Sequence, residues 1–247
     1  MAGTMAFVDR IDLLLRRAGR RPLRWRYGLR AERNFWQQWV GDQGGAYAAE
    51  YQQRMDPNAS IDDEFMSPRV ARVPTERVRI LDVGAGPATT VGKTYPGKII
   101  ELTAVDPLAD HYAKALNAHG VVPPVSTELC AGEELTAHFE RGSFDIVHAR
   151  NSLDHAYDPL LVIREMLEVT RGGGSVLLFH GRNEAEKERY LGLHQWNFEI
   201  EQDGRLVLWG RDARYDIAAE LAGLAAVEAW LDVSDDGERV AVALTRS

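Results

Sequence analysis

The sequence predicts an α/β fold built on a mostly parallel, doubly wound sheet, and three observations predict it. Between Val78 and His180 short apolar runs alternate with segments of helical periodicity, the pattern of strand–helix–strand units. The first run ends at Asp82 and breaks at once into Gly84-Ala85-Gly86, the order a nucleoside-binding β-loop-α-β unit requires. The chain closes with two period-two runs joined by a tight turn, which cannot be a parallel crossover pair. The expectation is a Rossmann-like sheet of seven strands ending in an antiparallel hairpin, with an N-terminal helical extension and an extra β-hairpin. Residues 1–75 read as the extension or lid and 76–247 as the main domain, within which 181–212 is an inserted cap segment and hairpin.

The elements follow in order. The first block reads as helices near residues 6–18, through ERNFWQQW and through AYAAEYQQRM. Phe35, Trp36, Trp39, Tyr47 and Tyr51 recur at spacings near three and four. They form an aromatic stripe that either packs on the main domain or walls a substrate site. Candidate strands are 78–83, 99–105, 125–130, 144–149 and 175–180, with four helical segments between them. The clearest of these helices are 108–118 and 160–170. The helix after the first strand is short, cut by Gly92 and Pro96. Gly172-Gly173-Gly174 reads as the turn into the fifth strand. Beyond His180, FEIEQDGRLVLW folds about Asp203-Gly204 as a hairpin. A helical stretch near 217–224 follows, and then AAVEAWLDV and ERVAVALTR around a DDG turn.

At 247 residues and 27% charged side chains the chain is an ordinary globular protein that fits one α/β domain with additions. It has no apolar run long enough to span a membrane, and Asp9 and Asp12 interrupt the stretch where an export signal would lie. Cys130 is the only cysteine, which excludes an internal disulfide and a cysteine-clustered zinc site and fits a reducing cytoplasm. The formal charge of −8 is uneven: residues 1–33 carry +6 and the remainder −14. The arginine-rich arm either docks on the acidic body or meets nucleic acid. The acidic body argues against a broad phosphate footprint, so a nucleic-acid partner is disfavoured. A homodimer is compatible with the sequence.

Three nucleotide readings compete for the glycine loop. Gly86, Gly92, Lys93 and Thr94 approach a P-loop, but five residues separate the glycines where that motif has four, and Tyr95-Pro96-Gly97 would stop the helix it needs. A dinucleotide site needs a third glycine, and Thr89 stands there. Asp82 also places a carboxylate where a pyrophosphate would have to be attracted. A ligand with an ammonium, a sulfonium and a ribose suits an acidic loop better. Asp106, at the end of the second strand, is the carboxylate to which two vicinal ribose hydroxyls would donate.

That ligand is S-adenosylmethionine, and at this point the chain resembles the class I S-adenosylmethionine-dependent methyltransferases, especially the bacterial small-molecule group with a type 11 methyltransferase domain. LDVGAGP, TAVDP, FDIVHARNSLDHAYDP and REMLEVTRGGGSVLL carry the resemblance, which covers roughly 78–180. It implies S-adenosylmethionine as cofactor. Asp82, Gly84, Ala85 and Gly86 would surround the amino-acid moiety, Asp106 and Pro107 would lie at the ribose, and Asn151 and Ser152 on the cofactor side of the loop after the fourth strand. Two departures stand out: Ala88 replaces a usual glycine, and Ala131 lies where relatives place an acid against the adenine amino group. Gly132 and Glu133 follow; Glu133 either substitutes for that acid or simply opens a helix.

Methyl transfer needs alignment more than covalent chemistry, and an alcohol acceptor gains from a general base. His155 is the leading candidate base, with Asp154 beside it; the alternative is that this segment only opens the helix at Asp158-Pro159. His148 reads as a hydrogen-bonded core residue. Trp36, Tyr47, Tyr51, His180 and His194 are candidate substrate contacts. Glu184, Glu186, Glu188 and His194 lie close together but contain no tight ligand pair, and Glu184, Lys187 and Glu188 read as a solvated face, so no metal site is assigned. The reading is O-methylation of a small polar metabolite, a sugar or natural-product intermediate. A noncatalytic cofactor-binding scaffold and an RNA methyltransferase are the alternatives.

Overall fold

The computed structural model describes residues 23–234 and 237–247. The helix expected near residues 6–18 lies outside them. The described residues open with α1 (Leu23–Gly41), α2 (Ala48–Met55) and α3 (Ser67–Arg72). The main sheet takes β1 (Arg77–Val83), β2 (Ile99–Asp106), β3 (Thr127–Leu129), β4 (Phe144–Arg150) and β5 (Thr170–Gly181), with helices α4 (Ala109–Ala118), α5 (Leu135–His138) and α6 (Pro159–Val169). After β5 come α7 (Glu184–Lys187), β6 (Trp196–Ile200), β7 (Leu206–Gly210), β8 (Arg214–Asp216), α8 (Ile217–Glu220), β9 (Ala225–Ser234) and β10 (Gly237–Arg246).

The seven-stranded sheet runs β3-β2-β1-β4-β5-β10-β9. Its first five strands are parallel, and β10 pairs antiparallel with both β5 and β9. The chain leaves β1 toward β2 and β3 and then returns to the other side at β4. The carboxyl ends of β1 and β4 therefore form the switch point where such sheets bind ligands. β1 is buried from Ile80 to Val83, as a central strand covered on both faces must be.

One face packs Leu81, Val105, Val147, Ile163 and Met166 against Trp196, Phe198 and Leu208 of the later strands. The other packs Ile80 and Ile146 on Ile61, Met66, Val70 and Val73 from the segment around α3. α6 starts where its sequence says it should. Asp158 Oδ1 accepts from Leu161 N at 3.0 Å, and Pro159 occupies the first turn, where its missing N–H costs nothing.

The expected extra hairpin is β6-β7, and β8 extends it to a separate three-stranded sheet. Two expectations are corrected. Gly172-Gly173-Gly174 lies inside β5 as an irregularity: Thr170 pairs with Phe144 and Ser175 with Ile146, so the intervening residues are accommodated by a register shift. Residues 84–98, all described, contain no helix. Their backbone groups are satisfied from the extension instead. Lys93 N donates to Ala59 O at 2.7 Å, Ile61 N to Thr94 O at 2.9 Å, and Arg54 Nη1 to Ala88 O at 2.7 Å. A P-loop needs a helix opening after its glycines, and this loop has none.

Candidate active site

The glycine turn is fixed from both sides. Gly84 and Gly86 adopt φ of +73° and +67°, a region that L side chains avoid. A Cβ on Gly84 would lie 2.4 Å from Ser152 Cβ, and one on Gly86 3.2 Å from the Trp36 indole. Ser152 Oγ donates to Val83 O at 3.1 Å, tying the loop after β4 to the end of β1. Asn151 holds φ +47°, accepts from Gly181 N through Oδ1 at 3.1 Å, and so links the ends of β4 and β5. Ala85 is buried within the turn, its carbonyl accepting from Arg54.

A cleft open to solvent runs over this edge. Gly84, Gly86, Asp106, Pro107, Gly132, Glu133, Asn151, Ser152 and His155 line it, with Leu29, Glu32 and Trp36 of α1 and Leu193 of the later segment as its far wall. Gly132 keeps the floor open, because a Cβ there would lie 2.8 Å from Val162. Asp106 accepts from Leu108 N at 2.8 Å and Gly86 N at 3.1 Å. Burial pushes its carboxyl up to about 6 against those two N–H groups.

Asp82 behaves differently from the reading of its charge. Its Oδ2 accepts from Thr89 Oγ1 at 2.6 Å and its Oδ1 lies 2.8 Å from His148 Nδ1. Burial would raise this carboxyl, yet His148 and Thr89 hold it below the usual carboxylate range. Asp82 thus anchors the loop internally while also bordering a second, neighbouring cavity. Glu133 chooses a role not considered for it: its Oε1 accepts from Tyr157 N at 3.1 Å and Asp158 N at 3.3 Å, ahead of α6.

The aromatic stripe divides its work. Trp39 is buried against Leu116, with the Tyr51 ring 4.9 Å away. Phe35, Trp36, Trp39 and the exposed Tyr47 border the second cavity, together with Arg54, Arg150 and Arg239. Tyr51 packs behind that wall. Arg54 is buried beneath it, within 5.5 Å of both the Trp36 and Trp39 rings. Nothing in the spacing of a lone arginine marked it, nor Glu32, which accepts from Trp36 Nε1 at 2.7 Å.

His180 does not reach the cleft. It is 1% exposed and stacked on Phe198, and neither ring nitrogen has a hydrogen-bond partner among the described residues. Burial pulls its imidazole down to about 4. His194 does come to the site. Gln195 N donates to Asp154 O at 3.0 Å and Trp196 Nε1 to Ala156 O at 3.0 Å, stapling this segment onto the loop after β4. His194 Nδ1 then lies 2.8 Å from Asp154 Oδ2 and 3.1 Å from His155 Nε2. Burial opposes charge on Asp154, but His155 and His194 hold its carboxyl at about 2. Among the described residues no helix is long and apolar enough to cross a membrane.

Residues 81–178 match the family model described as a methyltransferase domain. An uncharacterised methyltransferase of Schizosaccharomyces pombe is 35% identical over 105 residues, 40% of this chain and 38% of that protein. A ubiquinone biosynthesis O-methyltransferase of Xanthomonas campestris is 32% identical over 110 residues, 44% of this chain and 45% of that one. The chain thus spans less than half the length of these curated relatives. Among solved structures, a complex of the Haloferax volcanii Trm112 methyltransferase activator with a methyltransferase aligns with a TM-score of 0.53 at 14% identity. It covers 85% of this chain and 97% of that one. A Haemonchus contortus phosphoethanolamine N-methyltransferase with S-adenosylhomocysteine bound gives 0.51 at 16% identity, covering 84% and 59%. At these identities the solved structures speak for the fold alone.

Proposed function

We propose that this chain, which belongs to the class I S-adenosylmethionine-dependent methyltransferases, methylates an oxygen of a small polar acceptor such as a sugar or a natural-product intermediate. The cleft fits the cofactor on its own terms. Glycines at 84, 86 and 132 stand where a Cβ would meet the wall, and Asp106 offers a carboxylate for ribose hydroxyls. Pro107, Leu108, Leu153, Ala156 and Val162 supply apolar surface for a purine. Asn151 and Gly84, shared by both cavities, would border the methionine end. When bound, S-adenosylmethionine supplies an electrophilic methyl group whose bonding pair stays on sulfur as the acceptor oxygen takes the carbon.

The observation that carries an oxygen acceptor is the cluster of Asp154, His155 and His194. His155 lines the cleft only a few residues beyond Asn151 and Ser152. A hydroxyl must shed its proton as its oxygen is methylated, and we infer that this cluster promotes that loss. The O-methyltransferase among the relatives supports the same acceptor atom. α1 and the 182–196 segment would close over the acceptor and exclude water.

Calorimetric titration with S-adenosylhomocysteine is the direct test, followed by its release in the presence of vicinal-diol acceptors and S-adenosylmethionine. Micromolar binding that weakens at least tenfold in Asp106→Ala is expected. Wild-type protein without binding, or binding indifferent to that substitution, overturns the cofactor assignment; release with amine acceptors only overturns the oxygen assignment.

A further inference from the structure

Asp154 Oδ2, His155 Nε2 and His194 Nδ1 face one another across a triangle with sides of 2.8, 3.1 and 3.4 Å. Three donors bound to one ion at about 2.0–2.1 Å stand roughly 2.9 Å apart on an octahedral face and roughly 3.4 Å apart in a tetrahedron. The triangle spans that range. Two imidazoles and a carboxylate are also the donor set that zinc and ferrous iron take, with positions left open.

One hydrogen on His194 Nδ1 can be shared between Asp154 Oδ2 and His155 Nε2. A cation at the centre engages all three lone pairs at once. The donors are held in place from outside: Asp154 is 3% exposed, and the Gln195 N–H and Trp196 indole fix the two segments against each other. On the other side of the His155 ring, Nδ1 lies 3.8 Å from Glu32 Oε1, outside hydrogen-bond distance.

We propose that Asp154, His155 and His194 hold a divalent first-row transition-metal ion, and that oxygens of the methyl acceptor complete its coordination. The second half rests on the methyl-transfer reading; the first does not. His155 lines the same cleft as Gly84 and Asn151, so the ion would border the cleft that holds the ligand. A hydroxyl coordinated there would lose its proton to solvent, and its oxygen would take the methyl carbon as the S–C bond breaks and its pair stays on S-adenosylhomocysteine. A vicinal diol or catechol, with two oxygens to give, is the acceptor class this selects.

The test uses the full chain, stripped by chelator and dialysed. Zn2+ is titrated by calorimetry and Co2+ by visible absorption, with unfolding midpoint and S-adenosylhomocysteine affinity measured alongside. One equivalent of each ion, a rise in Tm with Zn2+, and at least tenfold weaker binding in His155→Ala and His194→Ala are expected. His138→Ala, an exposed histidine on α5, should bind as wild type does. His155→Ala leaves the Asp154–His194 contact in place, so it tests the site even where His194→Ala fails to fold. No stoichiometric ion, or equal affinity in wild type and His155→Ala, overturns the proposal and leaves a hydrogen-bonded cluster only. S-adenosylhomocysteine binding without metal binding sinks this inference alone. Metal binding without S-adenosylhomocysteine binding sinks the cofactor reading and keeps the ion site.

Discussion

Asp82 and His148 are directly paired across the β1–β4 ladder, and their side chains meet at 2.8 Å between Oδ1 and Nδ1. The acid that ends the first strand is therefore engaged by its neighbouring strand, and it shapes the cleft through the turn it anchors. Both side chains are almost fully buried. Removing the carboxylate in Asp82→Ala leaves a buried imidazole without its partner, a loss of roughly 3–5 kcal/mol. The double variant with His148→Ala should recover part of it. Denaturant unfolding of the four proteins in the cycle measures the coupling; strict additivity would show that the pair is not an energetic unit.

The carboxyl of Asp106, raised to about 6 by burial, gives cofactor affinity a pH signature. Ribose hydroxyls donate best to the ionised form, so affinity for S-adenosylhomocysteine should be flat above pH 7 and fall as pH drops through 6. Apo stability moves the opposite way. A carboxyl whose folded pKa exceeds its unfolded value of 3.8 binds more protons when folded, so its contribution declines as pH rises from about 4 to 6. Calorimetry from pH 5 to 8 checks the first point. Asp106→Asn should lose the pH dependence and weaken binding by roughly 10–100-fold, the worth of a hydrogen bond to a charged group.

Two glycines separate conformational need from space. Gly84 and Gly97 share a left-handed backbone, but a Cβ on Gly84 strikes Ser152 at 2.4 Å whereas one on Gly97 meets nothing within 4 Å. Gly97→Ala should cost roughly 1–2 kcal/mol of stability and leave S-adenosylhomocysteine binding unchanged. Gly84→Ala must also push back the loop carrying Asn151 and Ser152. Its binding should weaken at least tenfold, beyond any fall in Tm, and equal affinities for the two variants would contradict this account.

How much of this was legible in the sequence depends on the range of the forces involved. The parallel strands and α6 could be read because apolar periodicity and the Asp158-Pro159 cap are local signals. The 84–98 loop could not, because partners some thirty residues earlier replace the helix its position invites. The pairing of Asp82 with His148 could not be read, because the two are opposite only once β1 and β4 are in register. His194 could be read as a candidate substrate contact, but its neighbours at the site could not. Only the Gln195 and Trp196 contacts bring it to Asp154, 40 residues earlier.

His180 should make the fold acid-sensitive. Its ring is buried on Phe198, and its pKa of about 4 lies below the unfolded value of 6.5, so the unfolded chain binds the extra proton. The stability this histidine contributes is full above pH 6.5 and is lost as pH falls toward 4, by roughly 3 kcal/mol. Replacing it by leucine removes that titration. Wild type and His180→Leu should therefore diverge in unfolding free energy between pH 7.5 and 5, with the variant the less sensitive; parallel curves would show that His180 is not buried as neutral imidazole.

Arg54 links the helical extension to the cofactor turn. Its guanidinium donates to the carbonyls of Ala85 and Ala88, pairs with Glu50, and lies beside the rings of Trp36 and Trp39. Those carbonyls belong to a crossover with no helix to satisfy them, so the arginine does work that intrahelical bonds would otherwise do. Arg54→Lys keeps the charge but not the planar fork that reaches two acceptors while stacking. It should loosen residues 84–98 selectively, with faster amide exchange there than in β1 or β4, and weaken S-adenosylhomocysteine binding several-fold. Arg54→Met should do so more strongly and leave Glu50 without this partner. Exchange that accelerates uniformly across the sheet would mean that Arg54 contributes to global stability and has no special hold on the turn.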